Sequence, residues 1–262
     1  MRWRNIKAIL MQEMYVTKGS WEVIFDVFVF SLASIVVYGF ISRYLAGGSN
    51  AVIGQNLLIA VIFWETVRIT QYSTSLSSMW NVWAHNLSNM FIAPIRTSEY
   101  IIAHVISAAS KATLVLLLSI ALCPVVFHLN LLSLGIFPII FSLVNMLIFS
   151  VAIGLVLIGL VFQHGTKIQA LTWGLIFMIQ PFCAVFFPVH ILPPFMQAIA
   201  HCFPITYFFE WLRAIHMGNS YSAITVLGAF VFNLICLVAA CFIFSRQIAA
   251  SKRSGQLARN DL

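Results

Sequence analysis

Two acid–base pairs recur at the same helical spacing in a chain that has few charges. Glu65 and Arg68 lie three residues apart in FWETVRIT, and Glu210 and Arg213 do so in FFEWLRAI. Residues at i and i+3 share a helix face, so each pair can neutralise itself. Inside an apolar run, ionised side chains are costly and turn toward protein or a water-filled path. Glu65 and Arg68 therefore read either as a pathway or gating pair, or as a structural pair holding helices together. Glu210 and Arg213 read as an outer gate or as an interfacial ion pair, with Tyr207 and Trp211 beside them suited to an aromatic belt. His104 and Lys111 stand two turns apart in another apolar run and, with Glu65, are the material of a proton relay. Lys111 can equally snorkel to an interface.

The residues of other chemistries are missing. No G-x-x-x-x-G-K-[ST] phosphate loop occurs, and HGTK at His164–Lys167 lacks the glycine cradle. Neither H-E-x-x-H nor G-x-S-x-G is present. The five cysteines are scattered without a C-x-x-C pair, which predicts neither a metal site nor a disulfide framework. The expectation is a chain with no catalytic residues of its own, powered by an ion gradient or by a separate subunit.

Of the 262 residues, 61% are hydrophobic and 8% are charged, against about 25% charged in soluble domains. Apolar runs of roughly 20 residues recur, each long enough for about 30 Å of hydrocarbon. The predicted fold is an all-α integral membrane protein, one domain over 1–262, with six transmembrane helices. These are placed at Val23–Tyr44, Val52–Tyr72, Ile101–Phe127, Leu131–Phe162, Ile168–Phe187 and Ala223–Arg246. The fourth is overlong, and a tilt or a bend near Pro138 would accommodate it. The net charge of +7 bears on topology, not on nucleic acid. Arg2, Arg4, Lys7, Lys18, Arg96, Lys167, Arg246, Lys252, Arg253 and Arg259 fall on one side of this arrangement, and Arg43 and Arg213 on the other. The positive-inside rule places both termini in the cytoplasm, with Glu22 and Asp26 solvated at the entry of the first span.

Three segments lie outside the spans. Residues 1–21 lack the h-region and cleavage site of a secretory signal. Trp3, Ile6, Leu10 and Met14 share a face there, as in an amphipathic interfacial helix. Residues 188–220 are too apolar for a free loop and, with Pro188, Pro193, Pro194 and Pro204, too broken for a span. A re-entrant helical hairpin packed on protein suits them. The third segment, MWNVWAHNLSNMFIAPIRTSE at residues 79–99, divides by helical face. Trp80, Trp83, Leu87, Met90 and Phe91 lie on one side, and Asn81, His85, Ser88 and Asn89 on the other, before Pro94 closes the helix.

On these features the chain resembles the membrane subunits (permeases) of ABC type-2 transporters. One match is NLLIAVIFWETVRITQYSTSLSSMWNVWAHNLSNMFIAPIRTSEYIIAHVI, Asn56–Ile106, which is similar to the family's second span, cytoplasmic connection and third span. Another is ILPPFMQAIAHCFPITYFFEWLRAI, Ile191–Ile215, similar to the signature that follows the fifth span. Phe203 stands where asparagine commonly precedes that proline. The N-terminal amphipathic helix is the third. The resemblance implies a permease of an ATP-driven exporter in a plasma membrane, the inner membrane if the cell is bacterial. It implies a homodimer that works with separate ATPase subunits, which bind ATP and magnesium. Residues 79–99 become a coupling region in an ATPase groove, with Asn81, His85, Asn86 and Asn89 offered to the partner and Arg96 and Glu99 flanking. A plain interfacial helix on lipid headgroups is the alternative. The 23 Phe and 7 Trp favour a hydrophobic or amphipathic cargo such as a lipid, lipid-linked glycan or drug. A proton-coupled carrier using Glu65, His104 and Lys111, and a non-transporting membrane assembly protein, are the rival readings.

Overall fold

A computed structural model describes residues 2–46, 51–84 and 95–254, and every regular element among them is helical. Helix α1 (Trp3–Gly19) ends at Ser20, whose extended backbone (φ −107°) turns the chain into α2 (Trp21–Ala46). A π-helical turn interrupts α2 at Phe25–Val29. Next comes α3 (Ala51–Trp83), then α4 (Thr97–Phe127), which stops at His128 in the left-handed region. A 3₁₀ turn at Leu131–Leu134 and Gly135, at φ 90°, lead into α5 (Ile136–His164). Helix α6 (Gln169–Ile179) is short, and two further short helices follow, α7 (Pro194–His201) and α8 (Pro204–His216). The last helix is α9 (Ala223–Arg253).

Five stretches are long and apolar enough to cross a membrane: Trp21–Ala46, Ala51–Trp83, Thr97–Phe127, Ile136–Phe182 and Ala223–Arg253. The fourth runs 47 residues, about 70 Å if straight, yet it folds back on itself. Gly154 lies against Thr74, while Gln71 Nε2 donates to the Thr172 carbonyl at 3.1 Å. Gln71 and Thr74 are one turn apart on α3, whereas 154 and 172 would be separated by about 27 Å in a continuous helix. The reversal occurs at Gly165, whose φ of 58° and ψ of −136° suit glycine.

Helix α3 is the axis of the molecule. Its most apolar window is 78% buried, against 22% for α2 and α9, and α2, α4 and α5 pack around it. Helix α5 joins this core to α9, and α1 lies on α4. Two apolar clusters follow each other along α3. One gathers Ile62, Phe63 and Trp64 with Phe208 and Phe209 of α8. The other gathers Met79 with Ile6 and Ile9 of α1, Tyr100 of α4 and Phe162 of α5. Gly54 of α3 sits directly on the Ser42 carbonyl of α2, a backbone approach that leaves no room for a Cβ.

Several boundaries differ from the expectations. The second span continues past Tyr72 to Trp83. Thr70, Thr74, Ser75 and Ser77 there bond backward to the helix, as Thr74 Oγ1 to Thr70 O (2.6 Å) and Ser75 Oγ to Gln71 O (2.8 Å). Residues 79–83 are therefore the end of α3 rather than the start of a separate helix. The fourth span starts at Ile136, not Leu131, because Gly135 breaks the chain first. Pro138 falls in the first turn of α5, where its missing N–H costs nothing and no bend is needed. The expected fifth span, α6, stops at Ile179, ahead of Pro181, and continues only as a 3₁₀ turn at Gln180–Phe182. On α1 the buried residues are Ile6, Ile9 and Glu13, whereas Trp3 and Met14 are exposed. This helix uses a different stripe to dock on α4.

Candidate functional site

The polar residues collect in three places along α3. At mid-helix, Arg68 is buried in a shell of polar groups from α2 and α3. Its Nε donates to Glu65 Oε2 at 2.8 Å, and its Nη2 donates to Ser31 Oγ at 2.7 Å and to the Asp26 carbonyl at 3.1 Å. The Asp26 carboxylate is 3.7 Å from Nη1, and the Phe30 ring lies 4.8 Å from the guanidinium carbon. The widened π turn of α2 contains Asp26, whose carbonyl accepts from Arg68. Such turns are frequent where a helix must serve a partner outside its own ladder. The expected Glu65–Arg68 pair forms, and it ties α2 to α3.

Near the α1 end, three further groups meet. Glu13 of α1 places Oε1 3.4 Å from His104 Nδ1 and Oε2 3.5 Å from Lys111 Nζ, both on α4. The sequence-based candidates, which grouped Trp3, Ile6, Leu10 and Met14 as the face of this helix, leave out Glu13. Its register with Ile6 and Ile9 was the available signal. Burial alone pushes the Glu13 carboxyl up, but hydrogen bonding and charge from His104, then from Lys111, outweigh it. The pKa lies below its ordinary 4.5. A carboxylate lowered in the folded state contributes stability that is present above its ordinary range and lost as pH falls through the lowered value. Docking of α1 is thus expected to hold at neutral pH and to loosen below 4.5. Protection of the α1 amides against hydrogen exchange, taken relative to the intrinsic exchange rate at each pH, should fall several-fold on acidification. In Glu13→Gln the lower protection should already be present at neutral pH, which separates Glu13 from the other acids.

Close by, Glu99 binds the start of α1. Its carboxylate accepts from the Arg2 amide at 2.6 Å, from Asn5 Nδ2 at 2.8 Å and from the Arg96 amide at 3.2 Å. The Tyr100 hydroxyl accepts from Asn81 Nδ2 at 3.0 Å and lies 3.1 Å from Ser78 Oγ, joining α3 to α4 at their ends. Of the residues assigned to a partner, Asn81 and Glu99 are therefore buried and bonded within the chain, while Arg96 is exposed. His85, Asn86 and Asn89 lie outside the described residues, as do Leu87, Ser88, Met90, Phe91 and Pro94.

At the opposite end, Glu210 and Arg213 of α8 pair at 2.7 Å. Glu210 also accepts from the Val189 amide at 3.0 Å, and Arg213 Nη2 donates to the Ala184 carbonyl at 2.8 Å. Ala184 has φ 57°, so this pair anchors an irregular stretch of backbone after α6. Nearby, His216 Nδ1 and Asn56 Oδ1 stand 2.9 Å apart and connect α8 to the start of α3. Among the described residues, no group of three His, Cys, Asp or Glu side chains is arranged to hold a metal.

No curated protein matches the chain. A family model described as ABC-2 type transporter matches residues 4–217, which is most of its length. That span takes in α1, the Arg68 shell, the Tyr100 joint between α3 and α4, and the Glu210–Arg213 anchor. The chain belongs to the ABC-2 type transporter family, as a membrane-embedded permease.

Proposed function

We propose that this permease lines the substrate path of an ATP-driven exporter and takes its power stroke from a separate ATPase subunit, which binds ATP and magnesium. The chain makes six crossings, the short α6 with the residues after it serving as the fifth. Both termini face the cytoplasm, and α7 and α8 form a re-entrant pair at the outer surface. Two copies assemble around the path. The cargo is hydrophobic or amphipathic, a lipid, lipid-linked glycan or drug.

One observation carries the coupling scheme. Helices α3 and α4 are locked to each other through Asn81, Ser78 and Tyr100 immediately before and after residues 85–94. A push on that connection meets two long helices joined at their ends, not a slack loop. The exposed Arg96 and the polar row His85, Asn86 and Asn89 are the groups that a partner would grip. Glu65, by contrast, has Arg68 as its partner, whereas His104 and Lys111 share Glu13. These groups are occupied in two different clusters, which favours the ATP-driven scheme over a single proton relay.

The double substitution His85→Glu with Asn89→Glu is expected to weaken association with the ATPase at least tenfold while leaving membrane insertion intact. Co-purification from membranes checks this. Undiminished co-purification would remove residues 79–99 from the coupling role, and transport driven by a proton gradient without any ATPase would overturn the exporter.

A further inference from the structure

A groove of about 960 Å³ opens on the side of the molecule between α1, the start of α2 and the middle of α4. Its two walls share one order of polarity. On α4, Ser110 and Lys111 come first, then Leu114 and Leu117 follow along the same face, about 9 Å from Lys111 to Leu117. On the facing wall, Leu10 and Met14 of α1 lead to Thr17 and Lys18 at its end, and Ile24 and Phe28 follow on α2. Leu114 and Leu117 are 45% and 56% exposed. Beyond Lys18 and Lys111 each wall turns aliphatic or aromatic, in the sense of a lipid headgroup followed by its chain.

The polar end carries an excess of positive charge. Lys18 is exposed and takes no part in the ion pairs of the described residues. Lys111 gives one contact to Glu13 at 3.5 Å, and an ammonium has three donors. Two ammonium groups therefore line this end of the groove, and only Lys111 has a carboxylate partner in the ion pairs of the described residues, an imbalance of charge. A phosphate monoanion complements it through charge-assisted hydrogen bonds. A zwitterionic headgroup would bring its own ammonium against Lys18.

We infer that this groove binds one anionic glycerophospholipid of the surrounding bilayer, with its phosphate between Lys18 and Lys111 and an acyl chain along Leu114 and Leu117. The site stands apart from the ATPase contact and from the Arg68 shell, and it does not depend on the exporter reading. By bridging α1 to α4, a bound lipid reinforces the contact that Glu13 makes from the other side of Lys111.

Native mass spectrometry of the full chain, titrated with phosphatidylglycerol and separately with phosphatidylcholine, tests the site. One phosphatidylglycerol per chain should persist where phosphatidylcholine does not. Lys18→Gln should weaken its retention about fivefold, the size expected of one lysine near an anionic surface. Leu114→Trp, which fills the groove from an exposed position, should abolish it. Equal retention of the two lipids, or retention unchanged by both substitutions, would overturn the proposal. A photoreactive side chain at position 117 gives an independent reading. An adduct of lipid mass supports the site, whereas a cross-link to a second copy of the chain would show that protein covers the groove and would overturn it.

Discussion

Replacing Arg68 by alanine is expected to abolish accumulation of folded permease, while Glu65→Gln leaves it largely intact. Arg68 is the sole cation in a shell that contains the Glu65 and Asp26 carboxylates, the Ser31 hydroxyl and the Asp26 carbonyl. Removing it strands Glu65, 3% exposed, without its countercharge, a loss of about 3–5 kcal/mol for a broken buried pair. That is a large share of the roughly 5–15 kcal/mol that separates folded from unfolded domains. Glutamine at position 65 still offers an oxygen to the Arg68 Nε, and the remaining acid, Asp26, keeps the guanidinium paired. If the pair also lines the transport path, Glu65→Gln should lower transport more than it lowers the amount of folded protein. Size-exclusion profiles and transport assays on the same preparations distinguish the outcomes. A well-folded Arg68→Ala chain would show that the shell is hydrated rather than sealed. Restoration of folding by Glu65→Gln and Asp26→Asn in the Arg68→Ala background would confirm that the stranded charges, not the lost contacts, cause the defect.

How far the sequence revealed this arrangement depended on the range of each interaction. Glu65–Arg68 and Glu210–Arg213 were legible because both partners lie within one helical turn, and both pairs form at 2.8 and 2.7 Å. Glu13 was not, since its partners His104 and Lys111 arrive from a helix about 90 residues further along, and no local pattern announces a docking face. The sequence reading ended the second span at Tyr72 and gave residues 79–83 to the coupling region, because the hydroxyls and amides beyond Tyr72 interrupt the apolar run. In the folded chain they bond back to their own helix and are covered by α4 and α5. Apolar periodicity thus located the helices, whereas the end of a polar but buried helix required knowledge of its neighbours. The π turn in α2 had no sequence signal, because what it accomplishes is to meet Arg68 from another helix.

The end of α3 also determines how motion would enter the permease. Tyr100 is 1% exposed, and its hydroxyl holds Asn81 and Ser78 of the neighbouring helix. Tyr100→Phe keeps the ring, its edge contact with His104 and the surrounding packing, but removes the hydroxyl that meets both Asn81 and Ser78 of α3. Asn81 keeps one hydrogen bond, to Ser77 O at 3.0 Å, so the folding cost is bounded at about 1–3 kcal/mol. In the proposed coupling scheme the functional cost exceeds the structural one. The ATPase still binds and still hydrolyses ATP, but part of the displacement of residues 85–94 is absorbed at the loosened joint between α3 and α4. Transport per ATP is expected to fall about tenfold, the equivalent of about 1.4 kcal/mol of lost coupling, with co-purification of the ATPase unchanged. Transport and hydrolysis falling together would place the defect in ATPase engagement. An unchanged ratio would mean that force passes elsewhere, with the Glu99 clasp on α1 as the next joint to cut.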